Sequence, residues 1–146
     1  MTMFISSLTD TGATPALVRT MSFTHARLAM ISENVANYGT PHYRPGQLDT
    51  RGFQRALRRA LDERGGEVSK PLKVESGRQV RTLDDGSIEV TPSKRPVENI
   101  LFHDDTQASI ERQMSDLAET GMTQELMATL LRSRIDSLEK AIRGTV

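Results

Sequence analysis

The three histidines are the side chains best suited to acid–base catalysis near neutral pH. His25 lies inside a predicted helix, His42 lies in the turn that follows it, and His103 precedes a second long helix. None of the three has a nucleophile and an orienting side chain at a suitable spacing in the sequence. The lack of cysteine excludes thiol catalysis. We interpret all three as structural or solvent-exposed and predict that the protein is not an enzyme, with no catalytic residues. An enzyme would need a pocket that joins these histidines to carboxylates.

Sites for a metal ion or a nucleotide have equally little support. His103, Asp104 and Asp105 are adjacent, and three adjacent side chains cannot easily converge on one ion. Capping of the helix that follows accounts for the two aspartates. Gly65 and Gly66 lack the remaining residues of a phosphate-binding loop. We therefore predict no metal, no cofactor and no small-molecule substrate.

The charge pattern disfavours a nucleic-acid partner. The 146 residues include 19 Lys and Arg and 19 Asp and Glu, so the chain is not basic overall. Arg55, Arg58 and Arg59 form a basic helical face, which is either a phosphate-binding face or a solvated one, without aromatic side chains for base stacking. Residues 44–81 contain ten basic and five acidic side chains, whereas residues 98–142 contain four and nine. These two regions are either solvated or complementary patches through which copies attract each other head to tail.

Signals for export and membrane insertion are missing from the sequence. Residues 1–20 have no basic leading region and no apolar run longer than three residues. Nowhere does the chain approach the roughly 18 consecutive apolar residues of a membrane-spanning helix. We expect neither Sec-dependent export nor a transmembrane segment.

An N-terminal helix is predicted over residues 14–38. Apolar positions alternate at spacings of four and three residues, which places them along one face of a helix. Thr14 suits the N-cap and Pro15 the first helical position, while Gly39 and Pro41 should end the helix. The seam consists of Leu17, Met21, Thr24, Leu28, Ile31 and Val35.

A longer C-terminal helix is predicted over residues 106–143, capped by Asp104, Asp105 or Thr106. Its length would be roughly 55 Å, which exceeds the diameter of a compact domain of this size. Part of its apolar seam should therefore require another chain to cover it. The seam positions are Ile110, Met114, Leu117, Gly121, Gln124, Ala128, Leu131, Ile135, Leu138 and Ile142.

The middle segment, residues 39–105, has shorter elements. Residues 53–64 are predicted to form an amphipathic helix, and residues 79–83 and 87–91 a β-hairpin around the turn 84–86. Residues 1–13 are polar enough to be a flexible N-terminus. The predicted fold is one mainly α domain, residues 1–146. Its two long terminal helices pair as an antiparallel coiled coil, and the middle segment holds the short helix and the hairpin.

The most unusual string follows the first helix, where residues 31–44 read ISENVANYGTPHYR. Asparagine at a helix end can bind freed carbonyl groups, and the residue before a proline avoids helical geometry. The string therefore predicts a rigid corner, which serves either as a helix cap or as an interface. Its candidate residues are Asn34, Ala36, Asn37, Thr40, Pro41 and Tyr43.

This string resembles the signature L-x-x-N-[IVL]-A-N-x-x-T-P-[GH]-Y-[KR] of the bacterial flagellar rod, hook and filament-adaptor family. His42 stands where glycine is usual. Residues 109–119 and 138–144 resemble the short proximal-rod members of that family, although their usual asparagine and tyrosine are Thr120 and Gln124 here. Total length is similar to those members and much shorter than the distal rod and hook proteins. The resemblance covers roughly residues 15–65 and 100–144.

The resemblance implies a structural subunit of the flagellar basal body, exported by the flagellar type III apparatus and assembled into the periplasmic rod. Its partners would then be copies of itself, other rod proteins, the inner-membrane MS ring and the rod adaptor FliE. The apolar seams independently suggest polymerisation, because a heterologous contact that does not close produces a helical polymer. The alternatives are another short rod protein and a free-standing coiled-coil adaptor or secretion chaperone.

Overall fold

The computed structural model describes residues 12–65, 67, 70–94 and 110–144. These residues form α1 (Thr14–Ala36), α2 (Thr50–Arg64), β1 (Val80–Thr82), β2 (Ile88–Val90) and α3 (Ile110–Arg143). The prediction of a mainly helical fold with a small antiparallel sheet is confirmed. The predicted flexible N-terminus lies outside the described residues except for its last two. The cap candidates Asp104, Asp105 and Thr106, and His103 before them, also lie outside the described residues.

Helix α1 differs from the prediction at both ends. Thr14 is its first helical residue, and the N-cap position is taken by Ala13, whose side chain cannot accept a hydrogen bond. Pro15 lies in the first turn as expected, because its missing N–H removes no helical hydrogen bond there. The helix ends at Ala36, two residues before the predicted end, with Asn37 as its C-cap.

Helix α2 begins three residues before the predicted start because Asp49 caps it. The Asp49 carboxylate accepts a hydrogen bond from the Gly52 N–H at 2.8 Å. At the other end, Gly65 adopts a left-handed conformation with φ of +60°, where glycine avoids Cβ strain. Phe53 stacks on Phe23 of α1, with ring centroids 4.1 Å apart, and both side chains are buried. This aromatic contact attaches α2 to α1.

A short extended segment and the hairpin complete the middle of the fold. Leu72 and Val74 are buried against Ala60 of α2 and form a small apolar cluster. Strands β1 and β2 pair in antiparallel register, with Val80 opposite Val90. The predicted turn is present, since Leu83 and Ser87 are joined through backbone groups and Gly86 has φ of +79°.

The two long helices, α1 and α3, pack together. Their contacts run in opposite chain directions: Arg27 pairs with Asp116, Thr24 with Gln124, and Gly12 lies beside Arg134. Helix α3 has 34 residues and α1 has 23, so α3 is about 16 Å longer at 1.5 Å per residue. The last nine helical residues of α3, 135–143, therefore extend past the start of α1. We call residues 135–143 the overhang.

Candidate assembly site

The corner after α1 is built around the buried side chain of Asn34. Its amide Nδ2 donates to the Gly46 carbonyl at 2.9 Å, and its Oδ1 accepts from the Gly46 N–H at 2.8 Å. The Tyr43 hydroxyl donates to the same Oδ1 at 3.1 Å. Asn34 thus replaces a backbone partner for Gly46 and fixes the returning loop against the helix. We define the corner as residues 36–46.

Asn37 and Thr40 form the outer half of the corner. The Asn37 Nδ2 donates to the Glu33 carbonyl at 2.9 Å, which satisfies a helix-end acceptor. The Thr40 N–H donates to the Asn37 carbonyl at 2.9 Å, closing the turn. Ala36, Thr40 and Pro41 are exposed. Asn34 and Asn37 therefore shape the corner, whereas Ala36, Thr40 and Pro41 form part of its exposed surface.

Tyr43 is held in its protonated, hydrogen-bond-donating form. Burial of the ring raises the pKa of Tyr43 above its usual value of 10.0, and the neighbouring Glu33 carboxylate raises it further. The neutral hydroxyl can therefore donate to Asn34 throughout the physiological pH range.

His42 occupies an unfavourable backbone conformation in the corner. It has φ of +62° and is the only non-glycine residue with positive φ among those described. A Cβ atom is strained in this region, and the flagellar signature usually has glycine here.

We expect the substitution His42→Gly to stabilise the isolated chain by about 1 kcal/mol, because relief of this strain exceeds the added entropy of the unfolded chain. Urea denaturation followed by circular dichroism measures the change. His42→Ala is the matched control and should leave stability nearly unchanged, since it keeps the Cβ. Equal stabilisation by both variants would contradict a backbone cause.

The segment that follows the corner is attached to residues that flank the β-hairpin. Gln47 and Ser93 exchange two backbone hydrogen bonds at 2.9 and 3.0 Å. The Gln79 side chain accepts from the Asp49 N–H at 2.8 Å and donates to the Gln47 carbonyl at 2.7 Å. A Cβ on Gly46 would lie 2.9 Å from the Met30 side chain, so glycine permits the close approach of the loop to α1. Together these contacts hold the helix end, corner and hairpin in fixed relation.

A polar layer lies in the middle of the α1–α3 interface. Thr24 donates to the Gln124 side chain, and Arg27 forms an ion pair with Asp116 at 3.4 Å. Thr120 is buried, with 1% of its surface exposed, and its hydroxyl has no hydrogen-bond partner among the described residues. Polar groups in a helix seam reduce stability but fix register. The two paired contacts of this layer favour the observed alignment of α1 and α3.

The predicted seam residues divide into two groups. Thr24 and Ile31 are buried, and eleven others are half-buried in the helix pair or beside it; these are Leu17, Met21, Leu28, Val35, Ile110, Leu117, Gly121, Gln124, Ala128, Leu131 and Leu138. Met114, Ile135 and Ile142 are exposed by 51%, 45% and 73%. The most buried residue of α3 is instead Thr120, next to the predicted seam position Gly121.

Helix α3 has a second apolar face, which the prediction did not include. Met122, Leu126 and Leu130 recur every four residues and are exposed by 72%, 54% and 43%. At 3.6 residues per turn, Met122 and Leu126 lie roughly opposite Gln124, which contacts α1. We call Met122, Leu126 and Leu130 the outer stripe. The four-residue spacing of these apolar side chains is the sequence signal from which the outer stripe could have been predicted.

Among the described residues, neither the two histidines nor the arginines considered for phosphate binding form a catalytic or phosphate-binding site. His25 and His42 are both exposed. Arg59 forms an ion pair with Glu75 at 2.7 Å, and Arg55 lies 3.9 Å from Asp49. Over the described ranges, no group of three or more His, Asp or Glu side chains could hold a metal ion. None of the helices in those ranges is long and apolar enough to cross a membrane.

Comparison of the chain with protein-family models, with curated proteins and with solved structures gave no match. The corner and the two faces of α3 are therefore the features of the molecule that bear on its function.

Proposed function

We propose that this chain is a structural subunit of the bacterial flagellar basal-body rod, of the proximal-rod type represented by FlgB. Its terminal helices form an antiparallel coiled coil, and copies polymerise through these helices into the periplasmic drive shaft that transmits torque. In this proposal the protein has no catalytic role. It reaches the rod through the flagellar type III apparatus and contacts other rod proteins, the MS ring and FliE.

The observation that carries the proposal is the exposure of α3. Only Thr120 among its 34 residues is buried, and six of the eight exposed large hydrophobic side chains of the described chain belong to it. Isolated soluble proteins rarely present so much apolar surface along one element without a partner. Burial contributes about 25 cal/mol per Å² of apolar surface, so covering α3 would stabilise an assembly.

The corner supports the more specific identification. The two asparagines and the tyrosine of the signature are all engaged in hydrogen bonds that shape the turn, as a structural signature requires. Shape at this point matters for a polymer, because the corner fixes where the hairpin lies relative to the helix pair. Small errors in the position of the hairpin relative to the helix pair would accumulate from subunit to subunit.

Removal of the gene tests the proposal. Cells without this protein should be non-motile and should have basal bodies that end at the inner-membrane ring, without a rod, when viewed by electron microscopy. Expression of the unmodified chain should restore both the rod and swimming. Rods of normal length and composition in the deletion strain would contradict the proposal.

Two alternatives differ in measurable ways. Another short rod protein, such as an FlgC-like subunit, would give the same deletion phenotype but would have different neighbours in the assembled rod. A coiled-coil adaptor or secretion chaperone is favoured by the outer stripe, which would also suit a closed dimer. Light scattering after size exclusion separates an adaptor from a rod subunit. An adaptor should be a stable dimer with sharp thermal unfolding, whereas an isolated rod subunit should be a monomer.

A further inference from the structure

The outer stripe of α3 has an acidic border. Glu119 and Glu125 are exposed, and each lies three residues from Met122, so both adjoin the stripe on the helix surface. Neither carboxylate forms an ion pair with the described residues. The third acidic side chain of this stretch, Asp116, pairs with an arginine of α1 at 3.4 Å. Because residues 113–131 contain no Lys or Arg, two carboxylates beside the stripe stay without a neutralising partner.

The outward face of α2 is basic. Phe53 and Ala60 lie on the inward face of this helix, and both are buried. Arg59 lies to one side, where it pairs with Glu75. At 3.6 residues per turn, three exposed arginines follow one line along α2, roughly opposite the buried side chains. We call these residues the arginine row; they are Arg51, Arg55 and Arg58.

The arginine row keeps a positive charge when its acidic neighbours are included. Arg55 lies 3.9 Å from Asp49, and Asp62 lies on the same face at its C-terminal end. Three arginines against two aspartates leave a net charge of +1 on this face. Arg51 and Arg58 form no ion pair with the described residues, so these two cations are the ones available to a partner.

We infer that the arginine row of one copy binds the outer stripe of a second copy. This inference rests on the proposed function and identifies the surface that covers the stripe in the polymer. Arg51 and Arg58 are about 10.5 Å apart along α2, and Glu119 and Glu125 are about 9 Å apart along α3, so two ion pairs can form together. The aliphatic parts of the arginine side chains can lie on the apolar stripe while their guanidinium groups reach the carboxylates. Leu61, exposed by 39% beside the row, adds apolar surface.

The two surfaces of one molecule cannot bind each other. Helix α2 is attached to α1 through the stacking of Phe53 on Phe23, and the outer stripe lies on the side of α3 away from α1. A contact between different surfaces of two copies is heterologous and leaves one surface of each kind free, so it continues into a chain. A closed dimer through two outer stripes is disfavoured, because it would bring four acidic side chains together without a basic partner among residues 113–131.

Charge reversal on each surface tests the contact with purified protein. Exposed ion pairs are individually weak, so association should appear only at protein concentrations well above those of size exclusion. Light scattering at low ionic strength should then give a mass that rises with concentration beyond that of a dimer, and added salt should reduce it. Arg51→Glu with Arg58→Glu should weaken association at least about tenfold, because like charges then face each other. Glu119→Arg with Glu125→Arg should do the same, and both variants should keep the circular dichroism of the unmodified chain, since all four side chains are exposed.

A variant with all four substitutions separates this contact from a general effect of charge. It restores opposite charges across the contact and keeps the net charge of zero of the unmodified chain, so association should recover to within about threefold. Arg78→Glu with Lys94→Glu is the matched control, because it changes the net charge as much as the α2 variant at exposed positions outside both surfaces. This control should associate like the unmodified chain. Equal weakening by the control, or no recovery in the fourfold variant, would overturn the inference.

The other occupants of the outer stripe give different results. A dimer that grows no further would indicate a two-fold contact. A mass that stays that of a monomer at every concentration would indicate that another protein, or another segment of the chain, covers the stripe. Either result would overturn the inference.

Because light scattering uses purified protein, its outcome is independent of the gene-deletion phenotype. Charge-dependent association together with intact rods in the deletion strain would refute the function alone. Missing rods without that association would refute the contact alone.

Discussion

The substitution Leu126→Asp is expected to exclude the protein from rods and to abolish swimming, while the isolated chain remains folded. Leu126 lies in the centre of the outer stripe and is 54% exposed, on the side of α3 away from α1. A carboxylate there stays hydrated in the monomer. In a polymer that buries the stripe, the same charge would cost several kcal/mol per subunit. Gel analysis of purified basal bodies and a motility assay measure the effect.

Leu126→Met is the matched control for this prediction. It keeps an apolar side chain of similar volume, so rods and swimming should be normal. Thermal unfolding of both purified variants should resemble that of the unmodified chain, since the side chain has little to contact in the monomer. Full motility of Leu126→Asp cells would show that the outer stripe stays in solvent and would remove the main support for lateral assembly.

The second large effect is expected for Asn34→Ala, which should destabilise the chain by about 2–4 kcal/mol. The substitution leaves the Gly46 N–H, the Gly46 carbonyl and the Tyr43 hydroxyl without their partner, and each buried group left unpaired costs about 1–3 kcal/mol. The half-buried position of Gly46 and Tyr43 lets water replace some of this loss. Urea denaturation gives the free energy of unfolding.

Asn37→Ala serves as the control, because the two asparagines belong to one signature but differ in role. Asn37 donates one side-chain hydrogen bond, to the Glu33 carbonyl, at a site open to water. Its loss should cost no more than about 1 kcal/mol. Similar losses for both variants would contradict the assignment of Asn34 as the residue that anchors the corner.

Local patterns were sufficient to predict the main elements of this fold. The four-and-three spacing identified α1 and α3, and alternation around Asp84, Asp85 and Gly86 identified the hairpin. The beginning of α2 was missed because the Asp49 cap precedes any apolar residue of that helix. The end of α1 was placed two residues late because Asn37 and Tyr38 continue the polar–apolar pattern after the helix has ended.

Contacts of the site between residues far apart in the sequence could not be predicted from local patterns. The partner of Asn34 is Gly46, twelve residues away, and no local pattern identifies such a pair. The outer stripe of α3 was missed for a different reason. Apolar residues occur on two sides of this helix, and one sequence does not specify which side α1 covers. The burial of Thr120 was not predicted, because a side chain with a hydroxyl group is not expected to be buried.

A cryo-microscopy reconstruction of basal bodies isolated from the cells that make this protein would show whether copies of the chain cover the apolar faces of α3. We expect density for the α1–α3 pair in the proximal rod, with Met122, Leu126 and Leu130 buried against neighbouring subunits. A proximal rod without this chain, or one in which the outer stripe faces solvent, would contradict this expectation.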